Sequence, residues 1–185
     1  MRVIAGSARR LQLVTPKGTD TRPTADKIKE TLFNILAPDI FDVDFLDLFA
    51  GSGGIGIEAL SRGARSATFV EKDKEALKCI RKNIETTKFA DKSTVYPYDV
   101  FSTLYNLHPK KCYDMIFMDP PFYNDLEQRA LLILSGLDII DENTLIIVEA
   151  GIETDFSYLN SYGFEIARVK EYKNNKHVFI RKTEK

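Results

Sequence analysis

Cysteine, histidine and long apolar runs are all scarce in this chain of 185 residues. Cys79 and Cys112 belong to no Cys-x-x-Cys or Cys/His cluster, so the sequence indicates neither a zinc site nor a disulfide framework. No apolar run approaches the ~20 residues of a membrane-spanning helix, and residues 1–10 are too interrupted by arginine for a signal peptide. A reducing, cytoplasmic setting is therefore expected. His108 and His177 have no candidate ligands near them in sequence and are interpreted as surface residues.

Net charge is also small, −1 at pH 7, which by itself argues against a nucleic-acid partner. The distribution is uneven, because residues 1–30 carry seven Lys or Arg against three Asp or Glu, and residues 168–185 carry seven against two. Residues 31–167 carry twelve against twenty-two. Two interpretations stay open: the basic ends are simply solvated, or they line one surface that faces phosphates.

The first part of the chain is predicted to be a basic hairpin and linker, residues 1–22. RVIA and LQLV flank GSARR, so two short strands would carry Arg9 and Arg10 at their turn. The segment TPKGTDTRP is rich in Thr, Pro and Gly, as is typical of a linker. A helix is then predicted over TADKIKETLFNILAP, where Thr24 caps the start and Pro38 closes the end.

The rest of the chain, grouped with this helix as one domain over residues 23–185, alternates predicted strands and helices. The strands are FLDLF, SATFVE, STVYPYD, YDMIFMD and NTLIIVEA, and the helices are GIGIEALSRG, DKEALKCIRKNIETTK and LEQRALLILSGL. A less regular segment is expected between the third and fourth strands. GFEIARVKEY and HVFIRK form a closing antiparallel pair across an Asn-rich turn. The pattern predicts an α/β, Rossmann-like fold with a mostly parallel sheet, an antiparallel C-terminal hairpin and a small N-terminal hairpin.

A glycine turn follows the first strand. Gly51-x-Gly53-x-x-Gly56 has the spacing of the dinucleotide-binding fingerprint, in which glycines let a ligand approach the backbone at the amino end of a helix. Alone this motif is weak, and it serves NAD and S-adenosylmethionine equally.

Three acids at successive strand ends add to the glycine turn. Asp47 would repel a pyrophosphate but suits the cationic methionine portion of S-adenosylmethionine. Glu71 can accept hydrogen bonds from ribose hydroxyls in either cofactor. Asp99 can accept one from an adenine amine. Each acid taken singly is equally consistent with a polar strand end, but three along one sheet edge favour a cofactor site.

The tetrapeptide Asp119-Pro120-Pro121-Phe122 follows the fourth strand. Two consecutive prolines fix the backbone and remove two N–H donors, which leaves nearby carbonyls for a ligand. Phe122 is placed to stack on a flat ring. The alternative interpretation is a rigid loop with a buried phenylalanine.

Taken together, these stretches resemble the RsmD family of class I methyltransferases. The sequence DPPF resembles the [Asn/Asp]-Pro-Pro-[aromatic] signature of enzymes that methylate exocyclic or planar amide nitrogens. DLFAGSGGIGIEALSRGA, VEKD, MRVIAGSARRLQL and RPTADKIKETLFNIL are similar to other stretches of the family. Family members use S-adenosylmethionine to methylate the N2 amine of one guanine in bacterial 16S ribosomal RNA. The likeness covers most of residues 1–150, and the remainder matches only in general shape.

The resemblance implies a role for each motif. It implies that S-adenosylmethionine is bound by Thr24, Asn34, Asp47, Ala50, Gly51, Ser52, Gly53, Glu71, Lys72, Asp99 and Val100. It places Asp119, Pro120, Pro121 and Phe122 at the target guanine, and Arg9, Arg10 and Arg22 toward RNA phosphates. The implied partner is 16S rRNA, as part of the small ribosomal subunit. No metal is expected, and a monomer is the default expectation.

Four alternatives remain at this point, two of them methyltransferases with other targets. Adenine-N6 methyltransferases of DNA and glutamine-amide methyltransferases of proteins also use Pro-Pro-aromatic loops. An NAD(P)-dependent oxidoreductase fits the glycine turn but leaves Asp47 and the Asp-Pro-Pro-Phe loop without a purpose. A non-enzymatic RNA-binding module fits the basic ends but not the set of cofactor acids.

Overall fold

The computed structural model describes residues 1–17, 23–107 and 111–183, with the side chains of residues 23–25 left out. The helices within these segments are α1 (Pro23–Leu36), α2 (Gly54–Ser61), α3 (Lys74–Thr87), α4 (Val100–Asn106) and α5 (Leu126–Ser135). The strands are β1 (Asp44–Leu48), β2 (Ser66–Val70), β3 (Ser93–Tyr96), β4 (Met115–Met118), β5 (Leu145–Gly151), β6 (Phe164–Glu171) and β7 (Asn175–Lys182). None of the helices in this described part combines the length and apolar character needed to cross a membrane.

One seven-stranded sheet organises the molecule, in the order β3-β2-β1-β4-β5-β7-β6. Strands β1 to β5 are parallel, whereas β7 is antiparallel to both β5 and β6. The strand order reverses between β1 and β4, which is where open α/β sheets bind ligands at their carboxyl edge. The predicted fold class is therefore confirmed, including the antiparallel C-terminal pair.

Two hydrophobic cores cover the two faces of the sheet. One core joins the sheet to α1, α2, α3 and the N-terminal segment, and the other joins it to α4 and α5. Side chains alternate between faces along each strand. Leu46 and Leu48 contribute to the second core, so Asp47 between them faces the first. Val148 and Ala150 likewise place Glu149 on the first face.

The segment between β3 and β4 corrects two sequence predictions. It is not irregular but forms α4, and the third strand ends at Tyr96 rather than continuing to Asp99. Pro97 lacks the N–H that a further ladder bond would need. Asp99 instead caps α4, because its Oδ1 accepts hydrogen bonds from the backbone N–H of Phe101 (3.0 Å) and Ser102 (3.4 Å).

The N-terminal residues form the predicted hairpin in a reduced form. Backbone hydrogen bonds join Val3 N to Leu11 O (3.0 Å) and Arg10 N to Val3 O (2.9 Å), with a single antiparallel bridge and no regular strands. The hairpin is held on α2 by Glu58, a fully buried carboxylate that accepts hydrogen bonds from Ile4 N (2.8 Å) and Ala5 N (3.0 Å). The predicted domain division at residue 22 lies outside the described residues and stays a prediction.

Candidate active site

The glycine loop connects β1 to α2 at the switch point of the sheet. Gly51 and Gly53 have φ angles of 54° and 76°, which a side chain would strain, and the Gly53 N–H donates to the Ala50 carbonyl at 2.8 Å. The Asn83 side chain of α3 fixes the loop from behind by donating to the Ser52 carbonyl at 2.9 Å. Space on the outer side of Gly51 is open, so a ligand can approach the backbone there.

Asp47 lies beneath this loop as a buried carboxyl group, only 1% exposed. It accepts a hydrogen bond from the backbone N–H of Gly56 at 2.9 Å. Burial raises the pKa of Asp47 to about 8, and the nearby charge of Glu71 adds to the shift, whereas the Gly56 N–H opposes it. A cation placed against this carboxyl would be stabilised by its ionised form. The Asp47 carboxyl group therefore fits the cationic methionine portion of S-adenosylmethionine.

Glu71 follows β2 and binds the glycine loop directly. Its Oε2 accepts the Gly51 N–H at 2.8 Å, and its Oε1 accepts the N–H groups of Lys72 and Asp73, both at 2.8 Å. Three backbone donors thus fix the orientation of the carboxylate. A carboxylate offers about four acceptor positions, so Oε2 retains one for a ligand hydroxyl.

Asp99 lies beyond Glu71 along the same edge. Its Oδ1 caps α4, while its Oδ2 lies 3.4 Å from the ammonium group of Lys72, with both side chains substantially exposed. Val100 is buried at the start of α4. The structure thus places Asp47 in β1, Glu71 directly after β2, and Asp99 at the start of α4, three residues after the end of β3. Their individual assignments to parts of the cofactor stay predictions.

The Asp-Pro-Pro-Phe loop begins at the end of β4, next to β1. Asp119 is exposed to solvent at the end of β4. Loss of hydration of its carboxyl group among the nearby protein atoms, then the negative charges of Glu149 and Asp47, raise the pKa of Asp119 well above its ordinary value. Phe122 is half-buried, and Asn124 Nδ2 donates to its carbonyl at 2.9 Å. Within the described residues no donor reaches the Pro120 carbonyl, so it can serve a ligand.

Tyr123 extends the loop and was missed by sequence analysis. It has a φ of 61° and is 65% exposed, and its ring contacts that of Phe122 edge-on at 6.2 Å between centroids. The Tyr123 hydroxyl approaches Gly151 at the end of β5, where a Cβ atom would leave it no room. Strained non-glycine residues cluster at functional sites. Two aromatic rings in mutual contact therefore follow Asp119 along the loop.

His177 corrects the prediction of a surface histidine, because its side chain is fully buried. Its Nε2 lies 3.0 Å from Glu149 Oε2, and its Nδ1 lies 3.1 Å from the Tyr172 hydroxyl. Strand β7 pairs with β5 and sets His177 opposite Glu149. This contact joins positions far apart in the chain, so local sequence does not reveal it. The available signal was that Glu149 and His177 each interrupt or border an otherwise apolar strand.

The residues predicted to contact RNA or to close over the cofactor either make no hydrogen bond to the glycine loop or lie outside the described residues. Arg9 and Arg10 are exposed and line, with acidic and basic side chains of α1, a surface cleft of about 570 Å³. Asn34 is exposed on α1, and within the described residues it makes no hydrogen bond to the glycine loop. Arg22 and the side chain of Thr24 lie outside the described residues. An RNA role for the basic ends stays a prediction. His108 also lies outside the described residues.

Metal coordination has no obvious support in the geometry of the described segments. No group of three or more His, Cys, Asp or Glu side chains there is arranged to hold a metal ion. The acids at the sheet edge would suit a ligand that offers positive charge and N–H or O–H donors.

Known proteins resemble this chain in sequence and in structure. The family described as "Conserved hypothetical protein 95" matches residues 1–181. The chain is 39% identical over 150 residues to Ribosomal RNA small subunit methyltransferase D of Haemophilus influenzae, covering 80% of this chain and 78% of that protein. It is 38% identical over 153 residues to the Escherichia coli protein of the same name, covering 83% and 76%. The solved structure "Putative methyltransferase yhhF from Escherichia coli" superposes with a TM-score of 0.85 at 32% identity, over 100% of this chain and 99% of that one.

Proposed function

Because the chain belongs to the RsmD family, we propose that it transfers a methyl group from S-adenosylmethionine to the N2 amine of a guanine in small-subunit ribosomal RNA. Relatives named for small-subunit ribosomal RNA methylation support the coarse part of this proposal, the methyltransferase activity on ribosomal RNA. The finer part, guanine N2, is supported by the chemistry of the Asp-Pro-Pro-Phe loop.

One observation carries the proposal. Asp119 and the Pro120 carbonyl present two acceptors at the strand end beside Asp47, the acid that fits the cofactor cation. An exocyclic amine has two N–H groups, and these two acceptors match them. The aromatic side chain of Phe122 lies next to them in the chain, where a flat base can stack.

The guanine amine is a poor nucleophile, because its lone pair is delocalised into the ring. Hydrogen bonds from N2 to Asp119 and to the Pro120 carbonyl would fix the amine and favour a pyramidal nitrogen with its lone pair directed at the donor. Positioning of this kind can contribute roughly 7–11 kcal/mol to a reaction barrier. The base must be unpaired or flipped out to enter the site.

S-adenosylmethionine, when bound, supplies a methyl group activated by the positive charge of its sulfonium. Asp119 stabilises positive charge that develops on N2 as the new bond forms. The raised pKa of Asp119 also favours its protonated form, so the carboxylate can take up the proton that N2 loses. Stacking on Phe122 would contribute about 1–3 kcal/mol to binding of the base.

The test is a transfer assay with labelled S-adenosylmethionine and three acceptors: unmodified small ribosomal subunits, naked 16S rRNA and DNA. We expect label in RNA, and mapping should place it on the N2 amine of one guanine. Label found only in DNA or in protein would overturn the proposal in favour of adenine-N6 or glutamine methylation. Label on a different atom of RNA would retain ribosomal RNA methylation and reject the N2 assignment.

A further inference from the structure

Glu149 lies directly beside Asp119 in the sheet. The register of β4 and β5 pairs Met118 with Val148, so the next residues along, Asp119 and Glu149, occupy neighbouring positions. Neighbouring parallel strands lie about 4.8 Å apart, which brings the two carboxyl groups within range of one small ring. The influence of Glu149 on the pKa of Asp119 is consistent with that proximity.

The Glu149 carboxylate is held by two side chains of β7, one of which is oriented by a residue of the turn before that strand. Asn175 Nδ2 donates to Oε1 at 2.6 Å, and His177 Nε2 lies 3.0 Å from Oε2. The Tyr172 hydroxyl lies 3.1 Å from His177 Nδ1. A hydroxyl that donates to Nδ1 leaves the imidazole proton on Nε2, from which it is donated to Glu149. Burial, then the charge of Glu149, raise the pKa of Tyr172 to about 12, so the hydroxyl keeps its proton.

This array of Asn175, His177 and Tyr172 holds the Glu149 side chain in place without burying it completely. The imidazole of His177 is buried against the rings of Tyr172 and Phe117, at 5.1 Å and 6.1 Å between centroids, so it cannot rotate freely. The Glu149 side chain nevertheless remains 18% exposed. Each carboxylate oxygen has a second lone pair beyond the one that its β7 partner occupies. The array therefore leaves an oriented acceptor for a ligand next to Asp119.

Guanine presents two kinds of donor side by side on its Watson–Crick edge, the N2 amine and the N1–H. Adenine presents an amine beside an unprotonated N1, whose lone pair would face a carboxylate. We propose that Glu149 is a specificity-determining residue that accepts the N1–H of the target guanine while Asp119 accepts from N2. This inference rests on the proposed function, and the array of Asn175, His177 and Tyr172 serves to hold Glu149 in place.

The proposal is tested by exchanging the target base in substrate RNA. In 2-aminopurine the N2 amine is kept, but N1 has no proton and the 6-oxygen is missing. We expect the wild-type protein to prefer guanine over 2-aminopurine in kcat/KM by roughly 10- to 100-fold, the range of a hydrogen bond to a charged group. In E149Q the preference should fall roughly tenfold, because the amide can turn its NH₂ toward an unprotonated N1.

Two further variants keep this test decisive. E153Q neutralises an exposed carboxylate on the loop after β5 and should keep the wild-type preference. Y172F removes only the hydroxyl that orients His177, so its preference should lie between those of the wild type and E149Q. Calorimetry with S-adenosylhomocysteine and thermal unfolding establish that each variant is folded. If E149Q fails to fold, the Y172F result decides: an unchanged preference overturns the proposal.

The outcomes separate this inference from the proposed function. Equal losses in kcat/KM on both bases in E149Q would mean that Glu149 only supports the fold, which overturns the inference and leaves guanine methylation intact. An absence of guanine methylation by the wild-type protein would overturn the proposed function and the inference together.

Discussion

The carboxyl edge of the sheet has two halves that use acids in different ways. One half, at the ends of β1, β2 and β3, is called the cofactor half after its proposed role, and each of its acids accepts hydrogen bonds from backbone N–H groups. Asp47 accepts from Gly56, Glu71 from Gly51, and Asp99 from Phe101. The other half, formed by β4, β5 and β7, is called the target half after its proposed role. Glu149 there has side-chain partners from β7, and its charge acts on Asp119.

The difference has a consequence for each half. Backbone donors of the glycine loop, of α2 and of the start of α4 fix these acids, so the cofactor half has its geometry before any ligand binds. In the target half, Asp119 lies between Glu149 and Asp47, and like charges disfavour its ionised form. Donors from a bound base would relieve that repulsion. We therefore expect the two halves to fail differently when they are mutated.

The largest effect is expected for D119A. The variant removes the acceptor for the N2 amine, so kcat should fall by roughly a hundredfold to ten-thousandfold, the range of a positioned acid–base group. Affinity for S-adenosylhomocysteine should change little, because Asp119 belongs to the target half. Single-turnover transfer and calorimetry measure the two quantities separately. D138A, at an exposed acid before β5, is the matched control. A comparable loss of cofactor affinity in D119A would break the distinction between the halves.

The reverse pattern is expected for E71A. Loss of a charged acceptor for a ligand hydroxyl, and of the contact with Gly51, should weaken S-adenosylhomocysteine binding by roughly 10- to 100-fold. The kcat at saturating cofactor should stay within a few-fold of the wild type. Titration calorimetry and saturation kinetics measure both. E75A removes an exposed carboxylate on α3 whose salt bridge is to Lys78, and it should bind like the wild type. A fall in kcat as large as that of D119A would contradict the assignment.

The positions of the acids near the ends of β1, β2 and β3 were easier to predict from the sequence than the contacts between β5 and β7, for a physical reason. Glycine spacing, strand-end acids and caps act over a few residues, so a local pattern specifies them. Asp47, Glu71 and Asp99 were found that way, although the short helix α4 after Asp99 was not, because its apolar positions cover barely two turns. The fold class was also predictable, since alternating strands and helices admit few topologies.

The contacts of the target half depend on the position of β7 in the sheet, between β5 and β6. Only the antiparallel pairing of β7 with β5 brings His177 to Glu149, across 28 positions of sequence. The local sequence around a single histidine in an apolar run does not indicate which residue it contacts. His177 was therefore interpreted as exposed. Tyr123 escaped notice for a similar reason, because its position over Gly151 follows from the strained backbone of the loop.

The next effect concerns the free energy of unfolding, which should depend less steeply on pH in D47N than in the wild type. The folded-state pKa of Asp47, about 8, exceeds its ordinary value of 3.8, so the native state holds a proton that the unfolded state releases. Its contribution to stability is therefore fully present below about pH 4 and is lost as pH rises through 8. The slope is at most about 1.4 kcal/mol per pH unit. Asn keeps an oxygen for the Gly56 N–H but does not titrate.

Urea unfolding of the ligand-free protein at pH 6 and pH 7 measures this slope. The wild type should lose stability over the interval, and D47N should lose less. Both proteins retain Asp119, but D47N removes the charge of Asp47 that helps to raise the pKa of Asp119, so the contribution of Asp119 to the slope also falls in the variant. Parallel slopes for the two proteins would show that Asp47 is ionised in the folded state and that its geometry does not depend on a bound cation.

The smallest effect is expected for K72A, at the outer end of the cofactor half. The ammonium group of Lys72 lies 3.4 Å from Asp99 Oδ2, and the two side chains are 73% and 42% exposed. Exposed ion pairs contribute about 0–1 kcal/mol, so affinity for S-adenosylhomocysteine should change less than about fivefold. Asp99 itself stays anchored by the N–H groups at the start of α4. If calorimetry found K72A as impaired as E71A, side-chain pairing rather than backbone anchoring would govern this half of the edge.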